Sequence, residues 1–441
     1  MSTPPASRSD DWQRASEWIE RALGGRIVSA ERQPRWRPAW LFDLERDGET
    51  VPLYFRGDRG ATDHGVYSLE HEMRVLQVLA AHDIPVPRVF GFCPDPRGIV
   101  MERCAGRANL ATAASEAERE AVLDHYVEIL ARMHAIDVAP FEAAGLERPG
   151  TAEELALLDF DVWERSYRKN KLRPEPAIEF LIRWVRREVP RDRTRVACVC
   201  CDSGQFLFEC GRVTAVIDLE LACLGDPVAD LGGMRGRDLS EPLGDLSRAV
   251  GRYETLTGEP VDRRALDHHT VRFGVVTPMA VAHLVANPVP GMDLVQYLAW
   301  YLVWTRGPLE VIAGRLGIEL PPPPGDAMKA RRQAASQASL VADFEAYRAD
   351  TEARLATYHD RQVRMGPELE VQDLDDAARL MGRPTANRQE TDLALEVFIR
   401  EATPERDAAL IGYLHRRTLR LESMLFPVMR ELEGARIQRI R

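Results

Sequence analysis

The spacing of apolar residues changes character along the chain. Trp12, Ala15, Trp18, Ile19, Ala22 and Leu23 recur at helical intervals and stop at Gly24-Gly25, which predicts an amphipathic helix over 11–24. Residues 26–32, 39–46 and 50–56 read as strands, and Asp47-Gly48 between the last two is a strong hairpin signal. Leu69, Met73, Leu76, Val78 and Leu79 form the buried stripe of a helix over 66–81. Ile84-Pro-Val-Pro-Arg88 is an extended stop, followed by a strand pair at Val89–Phe92 and Gly98–Arg103. The first lobe is therefore expected to be a small, mostly antiparallel sheet with one inserted helix.

Past Gly106 the pattern turns helical. Val122, Tyr126, Ile129, Leu130 and Met133 mark a helix over 116–135, and 153–167 and 176–189 follow. Short strands are expected at 195–200, 206–209 and 212–217, then helices at 227–234, 242–256, 262–286 and 291–315. Pro321–Pro324 and Gly325 form a stiff linker. Beyond it 327–363, 368–382, 388–401 and 404–434 are helical by pattern, yet too polar to stand alone, so they should bundle or pack on the main body. The expected division is an N-lobe at 1–103, a mainly helical C-lobe at 104–320, and a linker with a helical tail at 321–441. The fold class is α+β, with two lobes and an added helical region.

Composition narrows the function. The net charge of −11 offers no clustered basic footprint for nucleic acid. No apolar run approaches the ~18 residues of a membrane span, and residues 1–10 do not resemble a signal peptide. A cytoplasmic protein acting without nucleic acid or membrane is the expectation, with a homodimer through the helical tail as a further option. Only Lys169, Lys171 and Lys329 are lysines, so the first 168 residues contain none. Seven cysteines make an odd count, and five fall between Cys198 and Cys223. Cys198 and Cys201 form a lone C-x-x-C without the second ligand pair of a structural zinc site. Cys198 and Cys200 alternate in an apolar run, as buried strand residues do.

The segment richest in chemistry is 196–238. A buried strand delivers Asp202 into a tight loop, and the second strand of the following hairpin, Val213–Ile217, delivers Asp218 and then Glu220. Two carboxylates at neighbouring strand ends can hold a hard cation, and Asp202 beside them can orient or deprotonate a nucleophile. The alternative is that these acids cap turns and helices. Asp226-Pro227 has that look, and Asp226 and Asp230 are expected to be structural.

Ile84-Pro-Val-Pro-Arg88, Val100-Met-Glu-Arg103, Leu130-Ala-Arg-Met-His134 and the run from Val213 to Leu231 together resemble the aminoglycoside phosphotransferase/choline-kinase-like family of the protein-kinase fold. The nearest branch is the set of bacterial phosphotransferases related to kinase domains fused to acyl-CoA dehydrogenases. The resemblance covers about residues 15–315. It implies an ATP- and Mg²⁺-dependent phosphotransferase acting on the hydroxyl of a small metabolite. Asp202 would position that hydroxyl. Asp218 would bind metal, with Glu220 as an auxiliary ligand and Gln205 in place of a metal-binding asparagine. Arg56 and Glu72 would be the ion pair that anchors phosphate, and Met101 and Arg103 would lie on the segment that meets adenine.

The chain also departs from this family. The family's His-Gly-Asp, with Asn five residues after the Asp, is here Cys200-Cys201-Asp202 with Gln205 only three later. Arg56 stands where the family has its phosphate lysine. The turn from Gln33 to Trp40 has no glycine, and its Arg35 and Arg37 are either phosphate contacts or a solvated basic turn. Arg235 and Arg237 sit at a plausible pocket rim, where either holds a carboxylate or phosphate or is simply a surface residue. Tyr297, Trp300, Tyr301 and Trp304 either bound a substrate or pack in the core. His134, His268 and His269 have no partner acids at useful spacing and read as structural. Two alternatives to phosphoryl transfer therefore stand: a pseudokinase-like binding or regulatory module, or a kinase-fold enzyme repurposed for other chemistry with Cys200 or Cys201 as nucleophile.

Overall fold

The computed structural model describes residues 10–33, 37–60, 65–325 and 344–440. Helix α1 (Asp11–Leu23) packs on a five-stranded antiparallel sheet built from β1 (Arg26–Arg32), β2 (Ala39–Arg46), β3 (Glu49–Gly57), β4 (Val89–Pro94) and β5 (Arg97–Glu102), in the order β1-β2-β3-β5-β4. The β2–β3 register follows from the hairpin. Asp47 and Gly48 both adopt positive φ, as a two-residue turn of this kind requires, and the pairing then runs from Arg46 opposite Glu49 to Ala39 opposite Arg56. That register sets Arg56 near the end of β3. Helix α2 (Leu69–Ala81) begins three residues later than the pattern suggested, because the Ser68 hydroxyl accepts the His71 amide and caps it there.

The second lobe comprises α3 (Glu116–Met133), α4 (Ala139–Ala143), α5 (Ala152–Leu157), α6 (Phe160–Asn170), α7 (Pro176–Arg187), the short strands β6 (Ala197–Val199), β7 (Phe206–Glu209), β8 (Arg212–Val216) and β9 (Cys223–Gly225), and then α8 (Val228–Arg237), α9 (Leu246–Thr257), α10 (Arg263–Ala286) and α11 (Leu294–Arg315). The single helix expected over 153–167 is two, broken at Leu158, which has φ 54°. Strand β9 was not anticipated; it is three residues long and pairs with β6.

The tail contributes α12 (Phe344–Met381), α13 (Arg388–Glu401) and α14 (Asp407–Leu425). Helix α12 continues through Pro367 where a break was expected, and the expected helical stretch 327–343 lies outside the described residues. The expected helix over 404–434 ends at Leu425. Leu395, Ile399, Leu410 and Leu414 from the tail share one apolar cluster with Phe160, Leu181, Val303 and Ile312 of the C-lobe. A second cluster joins α2 and β5 of the first lobe to α3, β7, β8 and α9. Among the described residues no helix is long and apolar enough to cross a membrane.

The tail is also fastened by charge. Arg306 of α11 is fully buried; it donates to Glu422 of α14 and to Glu310, at 2.6 Å each, and to the Ala435 carbonyl at 2.5 Å. Arg306→Leu leaves Glu422 buried and unpaired, so urea unfolding should show a loss of about 3–5 kcal/mol. Adding Glu422→Leu should recover a large part of that loss, because two apolar groups replace an orphaned charge.

Candidate active site

The loop that carries Asp202 is held from beneath by Asp230. Strand β6 ends at Val199, opposite Cys223 of β9, and the chain turns through Cys201 at φ 62°. Asp230, in the first turn of α8 and fully buried, accepts the amides of Cys200 (3.0 Å) and Cys201 (2.9 Å). His134 Nε2–H donates to the same carboxylate at 3.0 Å, and its Nδ1 meets the Tyr253 hydroxyl at 2.8 Å. The backbone of α8 passes so close that a Cβ at Gly233 would lie 2.3 Å from the Cys201 carbonyl oxygen, which only glycine avoids. On the far side the Tyr126 hydroxyl accepts the Gly204 amide at 2.8 Å.

Asp226 caps α8 by accepting the Val228 amide, and it also takes a fork from Arg193 (2.8 and 2.9 Å) and a contact from His269 at 3.3 Å. Burial alone would raise its pKa, but Arg193 and His269 hold it below the usual carboxylate range. So Asp226 and Asp230 are structural, as expected. His134 and His269 do have partner acids, contrary to the sequence reading; the acids come from α8 and from the turn before it, which sequence spacing does not reveal.

The candidate site holds two groups of charge. Asp218 follows β8 in the left-handed conformation (φ 60°), and Glu220 lies in the tight turn Leu219–Leu221. Arg56 crosses from β3 to meet them. Its Nε donates to Glu72 at 2.8 Å, and its Nη2 donates to Asp218 and, at 3.1 Å, to Glu220. Arg59 donates to both Glu220 oxygens at 2.5 Å, and Arg37 donates to Glu220 as well. Burial raises the Glu72 pKa against the pull of Arg56. At Asp218 burial also acts upward, but Arg56 draws the pKa below the usual value. In the second group, Arg237 forks onto Asp202, with Nε to Oδ1 at 2.7 Å and Nη2 to Oδ2, and the Gln205 amide donates to Asp202 at 2.9 Å. Burial leaves Asp202 above the ordinary carboxylate value in spite of Arg237, and the Asp218 charge adds to the rise.

The structure therefore brings Arg56, Glu72, Asp218 and Glu220 together and places Asp202 with Gln205. Met101 lies buried within β5, paired with Tyr54 and Val89, and the Arg103 amide is spent on the Pro52 carbonyl while its side chain meets Asp43 at 2.6 Å. Arg37 is buried on Glu220, so it is not a solvated turn residue; Arg35 lies outside the described residues. Arg59 was missed, although a second arginine three residues after Arg56 in a lysine-free lobe was a signal. Arg237 holds a carboxylate, that of Asp202, and is not a surface residue.

Tyr301 donates to Glu175, and the Trp304 indole donates to Ser240 at 3.0 Å, so both are bound into the helical packing. Cys198, Cys200 and Cys201 are buried and not in disulfides, with Cys201 Sγ 3.5 Å from Cys223 Sγ. Burial pushes the Cys200 thiol well up, and contact with Cys223 together with burial does the same to Cys201, which speaks against either as an activated nucleophile.

The fit to Mg²⁺ is poor in this arrangement. Among the described residues no three His, Cys, Asp or Glu side chains are gathered to hold a metal ion. Of the expected ligands, Glu220 is surrounded by three guanidinium groups, Asp218 shares Arg56, and the Gln205 amide nitrogen is turned to Asp202. A hard cation seeks carboxylate oxygens that are not already engaged by cations.

The two lobes define the protein-kinase-like fold of the aminoglycoside phosphotransferases. A solved Ralstonia eutropha protein assigned as an aminoglycoside phosphotransferase superposes with a TM-score of 0.51 at 22% identity, covering 66% of this chain and 93% of its own. The apo form of a thermostable mutant of the aminoglycoside phosphotransferase APH(4)-Ia gives 0.50 at 15% identity, covering 68% and 99%. The model of the phosphotransferase enzyme family matches residues 39–266, just over half the chain, and the chain belongs to that family. Among curated proteins it is 30% identical over 176 residues to acyl-CoA dehydrogenase family member 10 of Mus musculus, and 30% identical over 213 residues to family member 11 of Rattus norvegicus. Those matches take 37% and 42% of this chain but only 16% and 26% of the relatives, so the chain spans a minor part of their length.

Asp230→Ala orphans two buried amides and His134. Each unpaired group costs roughly 1–3 kcal/mol, so the variant should unfold at clearly lower urea. Amide hydrogen exchange from Cys200 to Gly204 should rise ahead of global unfolding.

Proposed function

We propose that the chain is an ATP-dependent phosphotransferase that transfers the terminal phosphoryl group to a hydroxyl of a small molecule. The observation that carries this reading is a half-buried carboxylate, Asp202, in a loop fastened by Asp230, together with an acid–arginine cluster, Glu72–Arg56–Asp218, that ties the two lobes together. Phosphoryl transfer asks for positioning and charge neutralisation more than for covalent chemistry. Arg56, with Arg37 and Arg59 around it, supplies positive charge for phosphate. Asp202 orients the acceptor hydroxyl and takes its proton. Its raised pKa makes it a better base than an ordinary carboxylate, and Arg237 and Gln205 fix its direction. Asp218 anchors Arg56 from the C-lobe. Met101 and Arg103 border the adenine region in this reading. No step is assigned to a metal.

One observation favours a second reading. Asp202, Asp218 and Glu220 are each already paired with arginine, as in a module that binds without turnover. The same experiment separates the two: purified protein with ATP and a panel of hydroxylated metabolites, read by mass spectrometry for a phosphorylated product. A product supports the enzyme; nucleotide binding without any product supports the binding module.

On a confirmed substrate, Asp202→Asn should slow turnover by about 10²–10⁴-fold with nucleotide affinity retained. Asp218→Asn should lose turnover and weaken nucleotide binding, because Arg56 loses one of its two C-lobe partners and is less firmly aimed. A base works deprotonated, so kcat/KM should fall as pH drops through the Asp202 pKa. Since that pKa is raised, the acidic limb should lie above the ordinary ~4 of a carboxylate. Arg237→Gln removes a charge that lowers it and should move the limb to still higher pH; an unmoved limb assigns the titration to another group.

A further inference from the structure

Three guanidinium groups that are all more than nine-tenths buried meet on one carboxylate. Arg37, Arg56 and Arg59 are 5%, 7% and 8% exposed, and all three donate to Glu220. The arginines belong to the first lobe, two flanking the β2–β3 hairpin and one within it, whereas Glu220 belongs to the second. They therefore meet where the two lobes touch, the place the proposed nucleotide would enter. A guanidinium fork fits carboxylate and phosphate by the same geometry, and phosphate offers more oxygens and more charge. The cluster balances only if each of three acids is counted, namely Glu72, Asp218 and Glu220, and its three cations crowd one another on a single carboxylate. A polyanion relieves that crowding better than one carboxylate does.

We infer that Arg37, Arg56 and Arg59 form a receptor for a nucleotide polyphosphate that works without a divalent cation, and that Glu220 is its built-in stand-in, displaced when phosphate arrives. The inference rests on the nucleotide reading above and deepens it. It also accounts for the poor fit of Glu220 and Asp218 to Mg²⁺. The charge that a metal neutralises in this fold is met here by arginines, which stay protonated at every working pH.

The test is calorimetric titration of the full chain with ADP, in EDTA and again in Mg²⁺, with inorganic pyrophosphate as a second probe that lacks the base. The expected result is ADP binding in EDTA within a few-fold of that in Mg²⁺, with pyrophosphate also binding in EDTA. Arg59→Gln and Arg37→Gln should each weaken ADP in EDTA by about tenfold or more, the usual scale for losing a charged hydrogen bond. Glu220→Gln should tighten it, because the competing carboxylate is neutralised. Circular dichroism checks that each variant is folded, and the two arginine variants keep the test decisive should Glu220→Gln unfold. Binding of ADP only when Mg²⁺ is present overturns this inference and leaves the nucleotide reading standing. Binding in neither condition overturns both. Binding in EDTA that Arg59→Gln and Arg37→Gln leave unchanged overturns the arginine receptor, and weaker ADP binding by folded Glu220→Gln makes Glu220 a ligand rather than a stand-in.

Discussion

The contact on which this structure turns is the buried carboxylate of Asp230 against the amides of Cys200 and Cys201. A tight loop that must present a side chain to a cleft leaves backbone donors pointing inward, and an unpaired buried donor is costly. Asp230 takes two of them at once and His134 as well, so the loop is attached to α8 and through Tyr253 to α9. Gly233 lets α8 come near enough for this. Asp202 then has its position determined before any ligand arrives, and Arg237, from the last turn of the same helix, determines its direction. One helix thus holds the loop at one end and aims its carboxylate at the other.

Much of the architecture could be read from the chain because it depends on local rules. The Asp47-Gly48 turn specified the β2–β3 register, and that register put Arg56 at the cleft end of β3. Apolar stripes located α1, α3 and α10 to within a few residues. What escaped was decided by long-range packing. Strand β9 is too short to have a pattern and exists because β6 needs a partner. Pro367 reads as a break, but α12 runs on through it, packed along α14. Leu158 adopts a positive φ that nothing in a leucine announces.

The site was legible in part for the same reason. Asp202, Asp218 and Glu220 stand at strand ends, where alternation of apolar residues makes the exit point visible. The partners of those acids were not visible, since Arg37, Arg59 and Arg237 are 183, 161 and 35 residues from the carboxylates they meet. A list of arginines without lysines says that positive charge in the first lobe must be guanidinium, but not which carboxylate it will meet. His134 and His269 are buried, as a structural role requires, but their partners escaped notice on the same account, because their acids are 96 and 43 residues away.

Replacing one flexible lysine by several arginines changes what a cleft can do. A lysine is a point charge on a mobile stem. Guanidinium is planar, holds two acceptors at once and keeps its proton even when buried. Arg56 can therefore bridge Glu72, Asp218 and Glu220 simultaneously, which a single ammonium does with far less directional control. The consequence is a cleft whose lobes are already joined by charge before substrate binds. On the proposed nucleotide reading, opening it would exchange carboxylate for phosphate at the same donors, so the energy of nucleotide entry would be a difference between two similar ion pairs rather than the full value of either.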